Sequence, residues 1–554
     1  MRQRPPLDIT GGRPTTGHDL QLACGIIDRS GVVDVLAPLL DTELGRHRTM
    51  TVRGALIACQ VNALARHHQA HLIEVARVIN AMTDEQRTAL GLTKHDPAQT
   101  YDRLDRLFLK LAAVLEAGHV GVSAKWMANA IATAAIADEY RTATAVAVDG
   151  TDVETWGALH GDVSSVDLDG DASATQLIDV PPRTKGPKRK AKVFGRGSDG
   201  RNVYTVDRDA RAGHRSATNS RPAGPYVGYE LHLAVQARQV RWTNFVDQVK
   251  LSDEVPGLVT CFSLDPAGTH RGRAIVDDLV AAKHAGLPLE DVLWDPGYSL
   301  CTPDTTQHKL AAAGISTTFQ AVTHQRLPKP FGHGQALLID GQLHSPLLPD
   351  ELRDLPMPPR GASDADKAVY ESRFNQRARW RLVRHAGPDA DGATRWRCPF
   401  CAGMLRARVF PKTMRRPVTV PLVAIDSETD TCCSGILTAM AVELPLWQPI
   451  PFGTTAWRIA MGRRQVVESA NAALKGAFAD LSRGFVRVFG KTKMTVLLGF
   501  TIAGYNLDRI RSFRAKQRSL AERPPARPKR RSGTWHEILT SGAEPPGSPT
   551  LDSG

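Results

Sequence analysis

With 554 residues, of which 42% are hydrophobic, the chain is long enough to form about two to four domains with a substantial core. Its 70 Lys and Arg residues exceed its 57 Asp and Glu residues, and the resulting net charge of +13 predicts a polyanionic partner. The N-terminal residues lack a secretion-signal pattern, and no apolar run reaches the roughly 18 residues that a membrane span needs. Eight cysteines in a chain of this length do not suggest a disulfide framework, so we expect a reduced, cytoplasmic protein without membrane contact.

Residues 1–140 predict an all-helical domain. Thr51 is placed to cap a helix that runs to Leu64, and Thr83 with Gln86 matches the capping-box pattern. The clearest helix is predicted at residues 101–118, where apolar residues recur at helical spacing: Leu104, Leu107, Phe108, Leu111 and Leu115. Basic residues and histidines lie between the apolar stripes of this domain, either as an ordinary solvated surface or as a surface for a polyanion.

The first candidate for a functional site lies in residues 142–156, TATAVAVDGTDVETW. Small and β-branched residues follow one another without a charge until Asp149, which favours a strand that is covered on both faces in the middle of a sheet. Asp149 and the glycine after it then stand where the strand leaves the core, and in open α/β sheets sites are built at such strand ends. The same residues also suit an ordinary turn.

A second short apolar segment, residues 292–294, ends in the same way, in Asp295 followed by Pro and Gly. Between the two acids, residues 226–235 alternate between apolar and polar types, which predicts a half-buried strand with His232 on its polar face. A solvated surface histidine is the simpler interpretation of His232, although it would also be able to approach a site. A further strand and a helix are predicted before the strand that ends at Asp295.

Residues 461–475, MGRRQVVESANAALK, predict one helix that carries a third acid. At about 100° per residue, Arg464, Glu468 and Lys475 lie at roughly 0°, 40° and 20°, so the three side chains share one helical face. A solvated charged stripe in which Arg464 pairs with Glu468 is the simpler interpretation of this face.

Residues 301–455 separate Asp295 from this helix and are too many for a plain connection. They include Cys398, Cys401, Cys432 and Cys433. The Cys398-Pro-Phe-Cys401 spacing suits a tetrahedral zinc ion, whereas the side chains of adjacent cysteines tend to diverge. A structural Zn²⁺ and reduced, metal-free cysteines are therefore both open interpretations.

Taken together and in order, these motifs resemble the DDE transposases of bacterial insertion sequences. In that family three acids on an RNase H-like fold hold two metal ions: an Asp on the central strand, an Asp in a D-x-G-Y motif, and a Glu in a Y-x2-R-x3-E-x6-K signature. This sequence matches the three motifs at Asp149, at Asp295 and Tyr298, and at Arg464, Glu468 and Lys475. Met461 stands where the family has tyrosine. The resemblance covers roughly residues 142–513, and the joint order of the motifs makes it specific.

The resemblance implies an α/β protein with an RNase H-like, mixed-sheet catalytic domain, an N-terminal all-helical domain and an insertion before the catalytic glutamate. The predicted parts are a helical DNA-binding domain at 1–140, the first part of the catalytic domain at 141–300 with a basic loop insertion at 157–224, the cysteine-containing insertion at 301–455, the helices around Glu468 at 456–513, and a disordered basic tail at 514–554.

The activity that the resemblance implies is DNA transposition by two-metal-ion cleavage and strand transfer. Asp149, Asp295 and Glu468 would hold two Mg²⁺ ions, for which Mn²⁺ can substitute, and Arg464 and Lys475 would bind DNA phosphates. The implied partners are double-stranded DNA, as terminal inverted repeats and target, and a second copy of the chain in a synaptic complex. A non-catalytic DNA-binding protein of the same fold and a structure-specific nuclease without strand transfer are the alternatives.

Overall fold

The computed structural model describes the following residues: 11–41, 49–92, 95–166, 190–217, 222–243, 249–269, 271–359, 361–389, 392–399, 406–409, 418–421 and 436–522. The chain divides into a large unit, Met1–Ile510, and a small unit, Arg511–Gly554. Among the helices of these described ranges, none is both long enough and apolar enough to cross a membrane.

The described part of residues 11–140 is helical, as the sequence predicts. Its helices are α1 (Gly17–Ser30), α2 (Val32–Leu40), α3 (Val52–Ala63), α4 (Leu72–Ala81), α5 (Asp84–Ala89), α6 (Thr100–Glu116) and α7 (Ala124–Ala134). The Thr51 hydroxyl caps α3 by accepting a hydrogen bond of 3.0 Å from the Gly54 N–H, and Thr83 and Gln86 form the predicted capping box of α5. The apolar stripe of α6 is buried, so these local patterns are confirmed.

The centre of the large unit is a six-stranded mixed sheet. Its strands are β1 (Ala145–Glu154), β2 (Arg211–Arg215), β3 (Gly224–Ala237), β4 (Val259–Pro266), β5 (Asp291–Trp294) and β6 (Ser316–Phe319). The strand order is β6-β5-β1-β3-β2, and β4 pairs with β3 on the edge that β2 also occupies. The β1–β3 and β3–β4 pairs are antiparallel, whereas β1–β5 and β5–β6 are parallel.

Both faces of the sheet are covered. Ala145 and Ala147 of β1 point into a core that the sheet shares with the N-terminal helices, and Val146 and Val148 point into a second core on the opposite face. The prediction that β1 is a central strand buried on both faces is therefore confirmed. Asn129 of α7 fixes the first layer to the sheet, because its amide exchanges hydrogen bonds of 2.8 and 2.9 Å with the backbone of Phe262.

The prediction of a half-buried strand at residues 226–235 is wrong. From Tyr226 to Ala237, β3 is buried on both faces. The alternating pattern was misleading because the polar residues of β3, Glu230 and His232, are themselves buried, and within a core they contact other polar groups.

Beyond β4 the chain adds further helices: α8 (Arg271–His284), α9 (Pro296–Ser299), α10 (Gln307–Ala312), α11 (Thr323–Arg326), α12 (Asp364–Ala378), α13 (Thr455–Gly462), α14 (Gln465–Ala472) and α15 (Lys491–Ala521). The short 3₁₀ segments are Pro97–Gln99, Asp138–Tyr140, Val163–Ser165, Pro303–Thr305, Asp350–Leu352 and Ala441–Glu443.

The predicted single helix over residues 461–475 is wrong. It divides into α13 and α14, and the π-helical turn Ala473–Ala477 follows. The break lies at Arg463, whose buried side chain donates hydrogen bonds to the Ala460 and Arg238 carbonyls and to Asp291. Arg463 and Arg464 keep helical backbone angles, but the backbone hydrogen bonds around them join residues three apart, so the α-helical pattern is interrupted by one tight turn beside this buried guanidinium.

Residues 301–455 contain small sheets and the last strand of the central sheet. In this range Ala336–Ile339 pairs with both Lys329–Phe331 and Gln342–His344, Ala393–Arg397 pairs with both Val383–Ala386 and Ile436–Met440, and Arg406–Val409 pairs with Val418–Pro421. Two further small pairs lie before residue 301: Gly195–Arg196 with Asn202–Val203, and Val240–Trp242 with Val249–Leu251. The central sheet continues past residue 300, because β6 belongs to it. This strand has only four residues and is too short to stand out in the sequence.

Trp447 packs on Trp396, and Trp457 packs on Phe452, so both indoles belong to cores.

Candidate active site

The sheet brings Asp149 and Asp295 side by side. In the parallel pair of β1 and β5, Ala147 lies opposite Leu293, and the same register continued by two residues puts Asp149 level with Asp295. Because β5 ends at Trp294 while β1 continues to Glu154, the edge of β1 beyond Asp149 borders a notch in the sheet. Asp295 therefore stands at the carboxyl end of β5, where open α/β sheets place their sites, whereas Asp149 lies in the middle of β1, which does not end at Asp149 as the sequence predicts.

Asp149 is held by neutral hydrogen bonds and a long ion pair. Its Oδ1 accepts a hydrogen bond of 2.9 Å from the Gly150 N–H, and its Oδ2 accepts one of 3.4 Å from the Asn471 amide. The Arg464 guanidinium lies 3.6 Å from the same Oδ2. Burial and the neighbouring charge of Asp295 raise the pKa of Asp149 to about 6, and Arg464 only partly opposes this shift. Two carboxylates thus share a partly buried site in which the nearby arginines do not fully offset the cost of burial.

The two oxygen atoms of Asp295 differ in their surroundings. Oδ2 faces the Arg271 guanidinium of α8, whose Nη1 lies 3.4 Å away. Oδ1 is buried and has no hydrogen-bond partner within the described residues. Asp295 also precedes α9 as its N-cap residue, without a side-chain capping bond. An unpartnered buried carboxylate oxygen is a strong acceptor without a ligand.

Helix α14 carries Glu468 and packs on the face of the sheet that also contacts the N-terminal helices. Val467 and Ala470 of α14 are buried in the core that also contains the inward residues of β1 and β3. Glu468 is about half exposed, and its carboxylate accepts a short hydrogen bond from Arg464, so the predicted i, i+4 pair forms. Arg464 therefore lies between Asp149 and Glu468 and contacts both.

Lys475 pairs with a different acid of β1 from the one that Arg464 contacts. It lies within the π-helical turn, and its ammonium forms an ion pair of 2.5 Å with Asp152 of β1. The π turn begins between Glu468 and Lys475 and changes the angle per residue there, so the predicted uniform helical spacing holds for Arg464 and Glu468 but not as far as Lys475. Asp152 also contacts Arg215 at 3.3 Å, and Lys475 is thus part of a second charged group along the open edge of β1.

Sequence reasoning missed a group of buried polar residues on the other face of the sheet. The Tyr298 hydroxyl and His232 Nδ1 are 2.7 Å apart, and both side chains are fully buried. His232 Nε2 is buried without a hydrogen-bond partner in the described residues, so the interpretation of His232 as a surface histidine is wrong. Burial is also the main reason that the pKa of His232 is lowered. The signal that was available was a Glu-x-His pattern inside an otherwise apolar strand.

Gly150, the glycine after the first acid, is required by this buried group. A Cβ atom at this position would lie 2.6 Å from Glu230 Oε1 and 3.2 Å from His232 Nδ1. The space that a side chain would fill at residue 150 is thus occupied by polar atoms of β3. The glycine in DGT permits close packing between two polar layers, which is a more specific role than that of an ordinary turn glycine.

A divalent cation fits the two aspartates better than it fits all three acids in their present arrangement. Adjacent carboxylates with an unpartnered oxygen are the hard ligands that Mg²⁺ prefers. Glu468, in contrast, is engaged by Arg464. Within the described residues, no group of three or more His, Cys, Asp or Glu side chains is arranged to hold a metal ion.

The cysteine prediction falls largely outside the described residues. Cys398 is buried directly after the strand Ala393–Arg397. Cys401, Cys432 and Cys433 lie outside the residues that the structure describes, as do the basic loop residues 167–189. A structural Zn²⁺ at these cysteines stays a prediction.

No family model, no curated protein and no solved structure matches this chain. The class of protein is therefore inferred from two features of the molecule itself. One is the strand order of the mixed sheet, and the other is the pair of acids at its notch.

Proposed function

We propose that the chain is a DNA transposase of the DDE type, which cleaves and rejoins DNA at the ends of an insertion sequence. The strand order β4-β3-β1-β5-β6, with the first three strands antiparallel and the last three parallel, supports an RNase H-like catalytic domain. The β2 strand then belongs to the insertion between β1 and β3. The helix that carries Glu468 packs on the β1–β3 side of this sheet.

The observation that carries the proposal is the placement of Asp149 level with Asp295 on neighbouring strands, close enough for the charge of Asp295 to raise the pKa of Asp149. Burial raises the pKa of Asp149, and repulsion by the neighbouring carboxylate of Asp295 raises it further. Each acid has one arginine nearby, Arg464 beside Asp149 and Arg271 beside Asp295, yet the pKa of Asp149 stays raised. A cation bound between the two acids would remove the repulsion, and clusters of strongly perturbed groups are typical of functional sites.

The chemistry of the site suits the cleavage of a phosphodiester. Two bound Mg²⁺ ions would activate the attacking oxygen and stabilise the leaving oxygen of an in-line displacement. Asp149 and Asp295 are the ligands that already adjoin each other, and Glu468 is the third acid once Arg464 releases it. Arg464 and Lys475 are then available to bind phosphate oxygens, since both guanidinium and ammonium groups form charge-assisted hydrogen bonds with phosphate.

Double-stranded DNA is the proposed partner, as terminal inverted repeats and as target. The net charge of +13 favours a polyanion, and DNA contacts of this kind are mainly electrostatic. A pair of chains in a synaptic complex is part of the same proposal, because both ends of the element must be held together during strand transfer.

The test is cleavage and joining of DNA that carries the flanking inverted repeats, with Mg²⁺ present. Asp149→Asn, Asp295→Asn and Glu468→Gln should each reduce cleavage by more than about 100-fold, the upper effect of losing a residue that only supports a ligand. End binding and the fold should persist, because an amide keeps the shape of the acid. The matched control is Asp278→Asn on α8, which loses its 2.8 Å pair with Lys125 away from the site and should cleave normally.

The same experiment separates the proposed function from its alternatives. Joined products identify a transposase, whereas cleavage without joining would identify a nuclease of the same fold. End binding by the wild-type chain without any cleavage would identify a non-catalytic DNA-binding protein. Substantial cleavage by the Asp149→Asn protein would contradict the assignment of the acids.

A further inference from the structure

Arg271 connects two acids across the open end of the sheet. Its Nη1 lies 3.4 Å from Asp295 Oδ2, and its Nε lies 3.3 Å from Glu230 Oε1. Arg271 is the first residue of α8, and Glu230 is a buried residue of β3. The guanidinium thus ties the loop after β5 to a rigid strand two positions away in the sheet.

Arg271 contacts the two oxygens of Asp295 unequally. Oδ2 faces the guanidinium, and Oδ1 is the buried atom without a hydrogen-bond partner in the described part of the chain. Gly297 leaves the space for this contact, because a Cβ atom there would lie 2.4 Å from Arg271 Nη1 and 3.1 Å from Asp295 Oδ1. Gly297, the glycine of the D-P-G-Y motif, therefore allows the Arg271 side chain to contact Asp295.

We propose that Arg271 is a positioning residue for Asp295: it holds Oδ2 so that Oδ1 remains directed toward a bound metal ion. This inference rests on the proposed function, since it concerns the same cation site. Glu230 acts one step further away, because it fixes the other side of the guanidinium. A carboxylate that is already held by a hydrogen bond to one oxygen loses less conformational entropy when a metal ion binds to its second oxygen.

The positive charge of Arg271 and its contact with Asp295 predict opposite effects on the binding of a divalent metal ion. Arg271 is a cation close to a cation site, so its charge alone opposes the binding of a divalent ion. Removal of that charge should then strengthen metal binding. If Arg271 orients Asp295, its removal should weaken metal binding instead, because Asp295 must then be ordered by the metal itself.

The test measures Mn²⁺ binding to the full-length protein by calorimetry, without DNA. Arg271→Gln should bind Mn²⁺ about 10- to 100-fold more weakly than the wild type, which is the usual effect of losing a group that supports a metal ligand. Arg271→Lys keeps the charge but cannot span both acids, so its affinity should lie between the two. Arg273→Gln removes the same charge from an exposed position of α8 and should bind Mn²⁺ like the wild type.

A second variant tests the same contact without removing a charge. Gly297→Ala places a methyl group against the Arg271 guanidinium and should also weaken Mn²⁺ binding. Its backbone needs no left-handed conformation, so alanine is tolerated there. Thermal unfolding of each variant establishes that it is folded, and if Arg271→Gln is not, Arg271→Lys and Gly297→Ala supply the answer.

The outcomes distinguish this inference from the proposed function. Mn²⁺ binding that is as tight or tighter in folded Arg271→Gln, together with loss of binding in Asp295→Asn, would overturn the role of Arg271 alone. Mn²⁺ binding that Asp295→Asn leaves unchanged would remove the metal site, and with it both the proposed function and this inference.

Discussion

Two aspartates of this chain, Asp340 in the insertion and Asp149 in the central sheet, have opposite surroundings. Asp340 is 3% exposed, and each of its oxygens accepts a hydrogen bond from an arginine: Oδ1 from Arg326 Nε at 2.6 Å, and Oδ2 from Arg377. Asp149 has one arginine, Arg464, at 3.6 Å, a weaker influence from Arg271, and another aspartate beside it.

The difference separates an acid that maintains structure from one that is available for binding. A buried carboxylate with both oxygens matched is stable only while its partners remain, and it gains nothing from a further cation. A buried carboxylate whose cost of burial is not fully offset by its partners makes the folded protein less stable, and this cost is relieved when a further cation binds. Replacement of each acid by its amide should therefore change stability with opposite sign.

The largest expected effect is at Asp340. Asp340→Asn should lower the free energy of unfolding by about 3–5 kcal/mol, because it leaves two arginines facing each other without an anion. The backbone of residue 340 has φ +50°, a conformation that asparagine adopts readily, so the change tests charge rather than backbone strain. The measurement is denaturant unfolding. Asp350→Asn, which removes an exposed acid of the same segment, should leave the free energy of unfolding unchanged.

The opposite sign is expected at Asp149. Between an ordinary acid pKa of 3.8 and the raised value of about 6, the folded protein binds more protons than the unfolded chain. Stability therefore falls as the pH rises through this window, and the full penalty is present above pH 6. Asp149→Asn should raise the free energy of unfolding by up to about 3 kcal/mol at pH 7, without divalent cations.

The gain from Asp149→Asn should disappear as the pH falls toward 4, where the wild-type carboxyl is protonated in the folded state. Unfolding curves of both proteins from pH 4 to pH 7 test this dependence. An Asp149→Asn protein that is less stable than the wild type at pH 7 would show that the site is balanced in charge after all.

A smaller effect is expected at Tyr298, in the buried polar group behind the two acids. Tyr298→Phe removes the 2.7 Å hydrogen bond to His232 Nδ1 and leaves the imidazole without its only observed partner among the described residues. We expect a loss of about 1–3 kcal/mol in the free energy of unfolding, the desolvation cost of one buried polar group. Unchanged stability would mean that water replaces the hydroxyl and that the site is less tightly packed than the contacts indicate.

The smallest expected effect is at Lys475 and concerns DNA. If Lys475 exchanges its pair with Asp152 for a phosphate, Lys475→Met should lower the slope of log K against log salt by about one unit. Lys125 is a matched control, because it forms a similar ion pair, with Asp278 at 2.8 Å, away from the site. A salt titration of end-DNA binding should show a changed slope for Lys475→Met and an unchanged slope for Lys125→Met. Equal slopes in both variants would mean that Lys475 only pairs with Asp152.

Features that depend on local residue patterns were predictable. The caps at Thr51 and Thr83 and the apolar stripe of α6 follow from hydrogen bonding and periodicity within a few residues. The uncharged run before Asp149 indicated a strand covered on both faces, because only a central strand can bury such a run. Of the candidate site, the sequence predicted the strand-end position of Asp295 and the Arg464–Glu468 pair, whereas the strand that carries Asp149 continues to Glu154.

Features that depend on distant residues were not predictable in the same way. The helix over residues 461–475 breaks because Arg463 finds buried acceptors in Arg238 and Asp291, and no periodicity within the helix contains that information. His232 looks like a surface residue until Tyr298 is brought against it, and Arg271 looks like an ordinary start of a helix until Glu230 and Asp295 flank it.

The sequence by itself thus determined the kinds of element and the chemistry of the individual side chains. Hydrophobic periodicity, capping and the positions of glycine act over a few residues, so they can be recognised along the chain. Only the tertiary structure decided which polar groups meet, and therefore which acids are balanced by cations and which are not. Electrostatic interactions and desolvation depend on distances in space, and pairing between strands that are far apart in the chain sets those distances.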